Sequence, residues 1–342
     1  MPQCLGIDAF LQGQGPVLDV RSPAEFAQGH LPGAINLPLF SDEERAAVGT
    51  TYKGQGRQQA VDLGLGLIGP RLQAIAAQLR QLVPDGSLRL HCWRGGLRSG
   101  SVAWLAELLE LKVQLLDGGY KAYRRWVLAQ LERPWPIQLL GGRTGCGKTE
   151  LLLALQQRGT AVIDLEGLAH HRGSSFGGLG QPPQPSNELF ENRLVAQLVA
   201  LGDGAPIWME AESAQIGRCR IPAPIWARMQ TAPVLEVSRP VSVRLERLVA
   251  MYGSLDPAEL AQATERISRR LGPQRTAIAL SAIAEGNWSL AASQMLDYYD
   301  RCYDHELGRR SLSQLGSLDL GALGDDAAAE CLLSHGVAPG AA

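Results

Sequence analysis

The chain is poor in cysteine and aromatic residues and has no long apolar run. Its six cysteines, Cys4, Cys92, Cys146, Cys219, Cys302 and Cys331, are widely spaced over 342 residues, with no Cys-x-x-Cys pair. That spacing argues against a zinc site and against the disulfide framework of a small secreted domain. No stretch approaches the ~20 apolar residues of a membrane span. Residues 1–10 lack the basic start and apolar core of a secretory leader. A cytoplasmic protein without membrane contact is therefore expected. An excess of charge is also missing: 32 Lys and Arg stand against 34 Asp and Glu, for a net charge of −2. Overall electrostatics do not mark a nucleic-acid binder, although a local basic patch can bind without a basic total. No Asn/Thr-Lys-x-Asp motif is present, which argues against a GTPase.

What is present suits a globular protein. Hydrophobic residues make up 45% and charged residues 19%, an ordinary balance, and the length predicts two domains. Strands are expected at residues 17–20, 34–37, 87–91 and 113–116, alternating with helices at 72–82, 100–111 and 120–131. This βαβ alternation predicts a parallel sheet. Residues 49–70, glycine-rich and holding Tyr52, Lys53 and Arg57, are expected to be a long irregular insertion. Arg133-Pro134-Trp135-Pro136 breaks the pattern and sets a boundary. Beyond it, strands are expected at 137–140, 161–165, 207–210 and 234–237, and helices at 149–157, 188–201, 257–271 and 290–305. The fold class is α/β, with one domain over 1–132, a second over 133–310 ending in a helical part, and a tail over 311–342.

Two loops carry most of the chemistry. The first follows a strand and reads His91-Cys92-Trp93-Arg94-Gly95-Gly96-Leu97-Arg98-Ser99. A thiol there, followed by glycines and a helix start, sits in a bowl of backbone N–H groups with positive helix-end potential, which favours the thiolate. Arg94 and Arg98 can clamp an oxyanion, and Ser99 can cap the helix or hydrogen-bond the sulfur. The second loop is Gly142-Arg143-Thr144-Gly145-Cys146-Gly147-Lys148-Thr149, a complete phosphate-loop pattern between a strand and a helix. Its glycines let backbone approach phosphate oxygens, Lys148 adds point charge, and Thr149 can hold Mg²⁺.

Four motifs in order resemble a rhodanese domain: Asp19-Val20-Arg21-Ser22-Pro23-Ala24-Glu25-Phe26, Gly29-His30-Leu31-Pro32-Gly33-Ala34-Ile35-Asn36, the Cys92 loop, and Leu116-Asp117-Gly118-Gly119-Tyr120. Five residues separate Cys92 from Arg98, one more than in common sulfurtransferase rhodaneses. The longer loop is similar to that of rhodanese-related phosphatases and suits a tetrahedral phosphorus anion.

Candidate metal or acid/base partners of the phosphate loop are Asp164 and Glu166, expected at one strand end, and Glu210 and Glu212 at another. Arg239, and the run His170-His171-Arg172-Gly173-Ser174-Ser175-Phe176-Gly177, offer His171, Arg172, Ser174 and Ser175 as candidate diphosphate or acid/base groups. Candidate RNA contacts are Lys53, Arg57, Arg218, Arg220, Arg266, Arg269 and Arg270, the last three expected on one helix face. Trp226, Tyr252 and Trp288 lie near the second-half arginines in sequence, and arginines with stacking aromatics are how splayed RNA loops are read.

A rhodanese domain fused to a phosphate-loop domain resembles the tRNA 2-selenouridine synthase family, from about Leu5 to about Glu306. The resemblance includes Glu166–Gly177, Glu210-Ala211-Glu212-Ser213, Ile216-Gly217 and Ile221-Pro222. It implies an enzyme of the wobble 2-thiouridine of tRNA that first geranylates the sulfur with geranyl diphosphate, then installs selenium from selenophosphate. It also implies no tightly bound cofactor, with the selenophosphate-supplying enzyme as a candidate partner. Two roles for Cys92 stay open: carrying selenium as a perselenide, or attacking phosphorus in a seleno-phosphorylated tRNA intermediate. Two competing classes also stay open. A small-molecule sulfurtransferase or phosphatase with an accessory nucleotide-binding domain predicts turnover without tRNA. A non-catalytic redox-sensing module predicts nucleotide binding and no product.

Overall fold

The computed structural model describes residues 2–307 and 315–335. The chain divides into two compact units, one up to Gln130 together with Glu191–Arg193, the other comprising Leu131–Phe190 and the chain from Leu194 on.

The first unit contains β1 (Gln3–Leu5), α1 (Ile7–Leu11), β2 (Val17–Asp19), α2 (Pro23–Gln28), β3 (Ile35–Asn36), α3 (Asp42–Gln55), α4 (Arg57–Ile68), α5 (Leu72–Leu82), β4 (Ser87–His91), α6 (Leu97–Leu108), β5 (Lys112–Leu116) and α7 (Gly119–Leu131). Its five strands pair in the order β1-β5-β4-β2-β3, all parallel. Leu18, Leu88 and Leu90 are fully buried, and with Ile75, Leu79, Val102 and Ala106 they form one core between sheet and helices. Hydrophobic burial of this kind is the main stabilising term, ~25 cal/mol per Å² of apolar surface.

The irregular insertion expected over residues 49–70 is instead helical, α3 running into α4 with a break at Gly56 (φ 97°). The reason is local. Ser41 accepts a hydrogen bond from the Glu44 N–H, and the Glu44 carboxylate accepts from the Ser41 N–H, a capping box that starts α3. Asp42, Glu43 and Glu44 also put negative charge on the positive end of the helix.

The second unit contains β6 (Ile137–Gly142), α8 (Lys148–Gln157), α9 (Leu165–Ala169), α10 (Asn187–Leu201), β7 (Ile207–Glu210), β8 (Gln215–Ile216), β9 (Cys219–Arg220), α11 (Ala223–Thr231), β10 (Val234–Ser238), α12 (Val241–Tyr252), α13 (Pro257–Arg266), α14 (Ser268–Leu271), α15 (Pro273–Ala284), α16 (Trp288–Leu307), β11 (Leu315–Asp319) and α17 (Asp325–Ser334). Four strands pair in parallel in the order β11-β10-β6-β7. A second core, with Leu260, Ile267, Ala282 and Ile283, lies in the helical part.

Three expectations are corrected here. Residues 161–165 form no strand: only Val162 bridges to Trp208, and Leu165 begins α9 because Asp164 caps it. The stretch 311–342 is not a separate tail. β11 pairs along the whole of β10, and α17 buries Ala328, Ala329 and Leu332 in the core that α8 also lines; residues 308–314 and 336–342 lie outside the described residues. The helix expected over 257–271 is broken at Ile267, so Arg266 ends α13 while Arg269 and Arg270 belong to α14. Among the described residues, no helix is long and apolar enough to cross a membrane.

Candidate active site

In the first unit, β4 delivers Cys92 to the base of its loop, and α6 starts five residues later at Leu97. The loop is held from below by the turn into α7. The Tyr120 N–H donates to the Cys92 carbonyl (2.8 Å) and the Lys121 N–H to the Trp93 carbonyl (3.0 Å). This approach requires Gly119, whose φ is 59° and at which a Cβ would lie 2.4 Å from the Cys92 carbonyl oxygen. Cys92 itself is buried, and the Ser99 hydroxyl donates to its sulfur at 3.2 Å. Burial is the largest influence on this thiol and opposes ionisation. Hydrogen bonds from Ser99 Oγ and from the Arg94 and Ser99 N–H groups, with the charge of Arg98, outweigh it and pull the pKa below the usual thiol value.

The two loop arginines behave differently. Arg94 is exposed and has the freedom to reach an anion. Arg98 is half-buried and donates to the Glu25 carboxylate at 2.7 Å, so it acts as a fixed positive charge in an ion pair. Trp93, Gly95, Gly96 and Leu97 form the exposed rim or its edge. Beneath the loop lies a support built from the Asp19–Arg21 motif, whose role the sequence does not reveal. Asp19 and Arg21 form a buried ion pair, and the Arg21 guanidinium sits 3.7 Å from the centre of the Tyr120 ring. His91 is fully buried 3.8 Å from Asp19, and burial lowers its pKa.

In the second unit, β6 ends at Gly142 and α8 begins at Lys148, with Gly145 (φ 83°) and Gly147 (φ 80°) in the left-handed region between them. This is the turn a phosphate cradle requires. Lys148 Nζ donates to the Gly142 carbonyl at 3.0 Å, folded across the loop mouth. Thr149 Oγ donates to the Glu166 carboxylate at 3.0 Å. Cys146 is buried, and burial raises its thiol pKa. Arg143 points outward to an exposed ion pair with Asp304.

The four candidate acids separate into two pairs. Asp164 accepts from the Gly167 N–H (2.7 Å) as the cap of α9. Glu210 is fully buried and accepts from the Leu165 N–H (2.9 Å). These two fasten α9: no strand ends at Asp164, whereas Glu210 ends β7 as expected but is turned into the protein. Glu166 and Glu212 lie at the cradle, and a Cβ on Gly173 would stand 3.1 Å and 2.7 Å from their respective oxygens. Burial, then repulsion from Glu212, pushes the Glu166 carboxyl up to about 8. Arg172 lies over the Tyr252 ring at 5.8 Å, Ser174 lines a cavity together with Thr144, and Ser175 is exposed. His171 is half-buried with a lowered pKa from desolvation.

Arg239, a candidate diphosphate ligand, is turned inward: its Nε donates to the Cys146 carbonyl at 3.1 Å. Arg244 does the same for the Thr144 carbonyl at 2.8 Å and pairs with Asp300. Both hold the backbone of the phosphate loop. The candidate RNA contacts are all exposed: Lys53 and Arg57 where α3 meets α4, Arg218 and Arg220 on the β8–β9 hairpin, and Arg266, Arg269 and Arg270 around the α13–α14 break. Among the described residues, no three His, Cys, Asp or Glu side chains are arranged to hold a metal ion.

Residues 135–317 match the family model described as tRNA 2-selenouridine synthase AAA domain, and residues 8–125 match the rhodanese-like domain. The chain belongs to the tRNA 2-selenouridine synthase family. It is 38% identical to the tRNA 2-selenouridine synthase of Marinobacter nauticus over 332 residues, 86% of this chain and 89% of that protein. The synthase of Alcanivorax borkumensis is 39% identical over 338 residues, covering 86% and 90%. That of Serratia proteamaculans is 39% identical over 336 residues, covering 86% and 88%. The first unit is thus a rhodanese-like α/β domain. The second is a phosphate-loop α/β domain with a helical C-terminal part.

Proposed function

We propose that the chain forms 2-selenouridine in tRNA, converting wobble 2-thiouridine by way of S-geranyl-2-thiouridine, with geranyl diphosphate and selenophosphate as co-substrates. The observation that carries this reading is the presence, in one chain of this family, of two anion cradles of different chemistry: one built around an activated thiol, the other around a lysine and helix N–H groups.

In the first step the thione sulfur of the base forms a bond to C1 of geranyl diphosphate. The C1–O bond breaks, its electron pair leaves with pyrophosphate, and the base loses its N3 proton to solvent. Gly145–Thr149 and Lys148 stabilise the departing charge, and Arg172, beside the cradle, adds to it. Thr149 and Glu166 are the oxygen groups that fit a Mg²⁺ arriving with the diphosphate, which would neutralise phosphate charge and relieve the Glu166–Glu212 repulsion.

In the second step the selenium of selenophosphate bonds to C2 of the base and the geranylthio group leaves as a thiol. The remaining Se–P bond must be cut. The Cys92 thiolate attacks phosphorus, selenium leaves with the electron pair, and water hydrolyses the phosphocysteine. The five-residue spacing to Arg98 supports this role over a perselenide. Arg94 and the loop N–H groups receive the phosphoryl oxygens. Lys53 and Arg57 of the first unit, and separately the exposed arginines of the second, are the groups offered to tRNA phosphates.

Single substitutions separate the steps. Cys92→Ala is expected to abolish selenation while leaving geranylation, and Lys148→Ala to abolish geranylation. Loss of both steps in both variants contradicts the division. Mass analysis of a trapped enzyme adduct decides the role of Cys92: a phosphoryl mass supports the route given, and a selenium mass replaces it with the perselenide.

A further inference from the structure

We infer that an apolar cavity in the helical part of the second unit holds the hydrocarbon chain of the diphosphate whose head rests on the Gly142–Thr149 loop, and that the cavity walls set the length of that chain. This rests on the geranyl-transfer reading above. The cavity has a volume of about 70 Å³ and is partly open to solvent, several times the ~10–15 Å³ that a single water molecule needs. Its walls come from α12, α13, α15 and α16, with Leu248, Tyr252, Ile283, Trp288, Ala292 and Met295 among them.

Two observations point to the occupant. Thr144 belongs both to the phosphate loop and to the cavity lining, so the cavity abuts the loop. No residue lining the cavity is charged. A nucleoside would bury its ribose hydroxyls and base edges there with few partners, at a cost of ~1–3 kcal/mol for each unpaired group, whereas a hydrocarbon chain has nothing to satisfy. Natural cores are also packed at near-crystalline density. An apolar space of this size beside a phosphate cradle therefore suits a ligand with an anionic head and an apolar tail.

The aromatic lining adds a chemical reason. Phe176 and Tyr252 stand with ring centres 6.1 Å apart in an edge-on arrangement, and both line the cavity. As the C1–O bond of an allylic diphosphate breaks, positive charge develops on the chain, and aromatic faces attract it. Ser174 belongs to the same lining, and the Arg172 guanidinium lies 5.8 Å from the centre of the Tyr252 ring.

The test is chain-length selectivity in the full-length protein. Geranyl transfer to thiolated tRNA is compared with transfer from the shorter dimethylallyl and the longer farnesyl diphosphates. Ala292→Phe narrows the cavity and is expected to lower kcat/KM for geranyl diphosphate about tenfold or more relative to the dimethylallyl compound. Met295→Ala widens it and is expected to raise the farnesyl-to-geranyl ratio about tenfold. Binding of inorganic pyrophosphate, followed by calorimetry, is expected to be unchanged in both. Should Ala292→Phe lose pyrophosphate binding through misfolding, Met295→Ala decides alone. Geranyl transfer by the wild type with unchanged length ratios in folded variants overturns the pocket and leaves the geranyl-transfer reading standing. No transfer from any prenyl diphosphate by the wild type overturns both.

Discussion

Replacing Ser99 with alanine removes the side-chain hydrogen bond to the Cys92 sulfur, and its effect can be worked from the geometry. The Ser99 hydroxyl lies 3.2 Å from Cys92 Sγ in a buried setting, without competing bulk water. A hydrogen bond to a charged group contributes ~1.5–3 kcal/mol, and ~1.4 kcal/mol is a tenfold change in a protonation ratio. The thiolate-to-thiol ratio at neutral pH should therefore fall about 10- to 100-fold. Nucleophilicity rises as basicity rises, with a Brønsted slope of ~0.4–0.5, so the net loss in alkylation rate is smaller, about 3- to 10-fold. Iodoacetamide labelling of the Cys92 peptide, followed by mass spectrometry across a pH series, measures this without interference from the other five cysteines. The inflection should move to higher pH and the neutral rate should drop. An unchanged profile would refute the reasoning. It would mean that the single hydroxyl proton is spent on the Gly96 carbonyl, also 3.2 Å away.

Gly119→Ala places a Cβ 2.4 Å from the Cys92 carbonyl oxygen at a positive φ; selenation should be lost and the thermal transition of the first unit lowered, read by activity and calorimetry. Arg244→Ala strands Asp300 and frees the Thr144 carbonyl. It should cost at the lower end of the ~3–5 kcal/mol of a broken buried pair, because Asp300 is partly exposed, and should weaken pyrophosphate binding, measured by denaturant titration and calorimetry. Burial, then repulsion from Asp164 and Glu166, raises the Glu210 pKa well above the carboxyl range. The folded state therefore keeps a proton that the unfolded chain releases near ~4.3. The stability from this group is complete below that value and is lost as pH rises toward the folded pKa. The Tm of Glu210→Gln relative to the wild type should therefore rise with pH over that window; a pH-independent difference would contradict it.

The two loops were legible because their requirements are local. A strand, glycines at positive φ and a helix start are contiguous at Cys92–Ser99 and at Gly142–Thr149, and the side chains that define them lie within the same few residues. Helices α3 and α4 are hidden in the sequence because glycines at 49, 54, 56, 64 and 66 mask the capping box at Ser41, and because α3 buries no residue and so shows no apolar stripe. Strand β11 is not legible locally because its strand character comes from pairing with β10, some eighty residues earlier. The inward roles of Arg239, Arg244 and Glu210 depend on contacts between elements distant in sequence, as does the apolar cavity, which four helices share. An arginine or glutamate near a strand end looks the same in sequence whether it faces a ligand or clamps a carbonyl or N–H group.

The central claim is that two cradles act in sequence on one tRNA base. The most direct measurement is mass analysis of wobble nucleosides after purified protein is incubated with 2-thiolated tRNA, geranyl diphosphate and selenophosphate. The account predicts 2-selenouridine with both co-substrates, and S-geranyl-2-thiouridine accumulating when selenophosphate is left out. Unchanged 2-thiouridine under both conditions, with turnover of thiosulfate or a small phosphoester in the absence of tRNA, would contradict it.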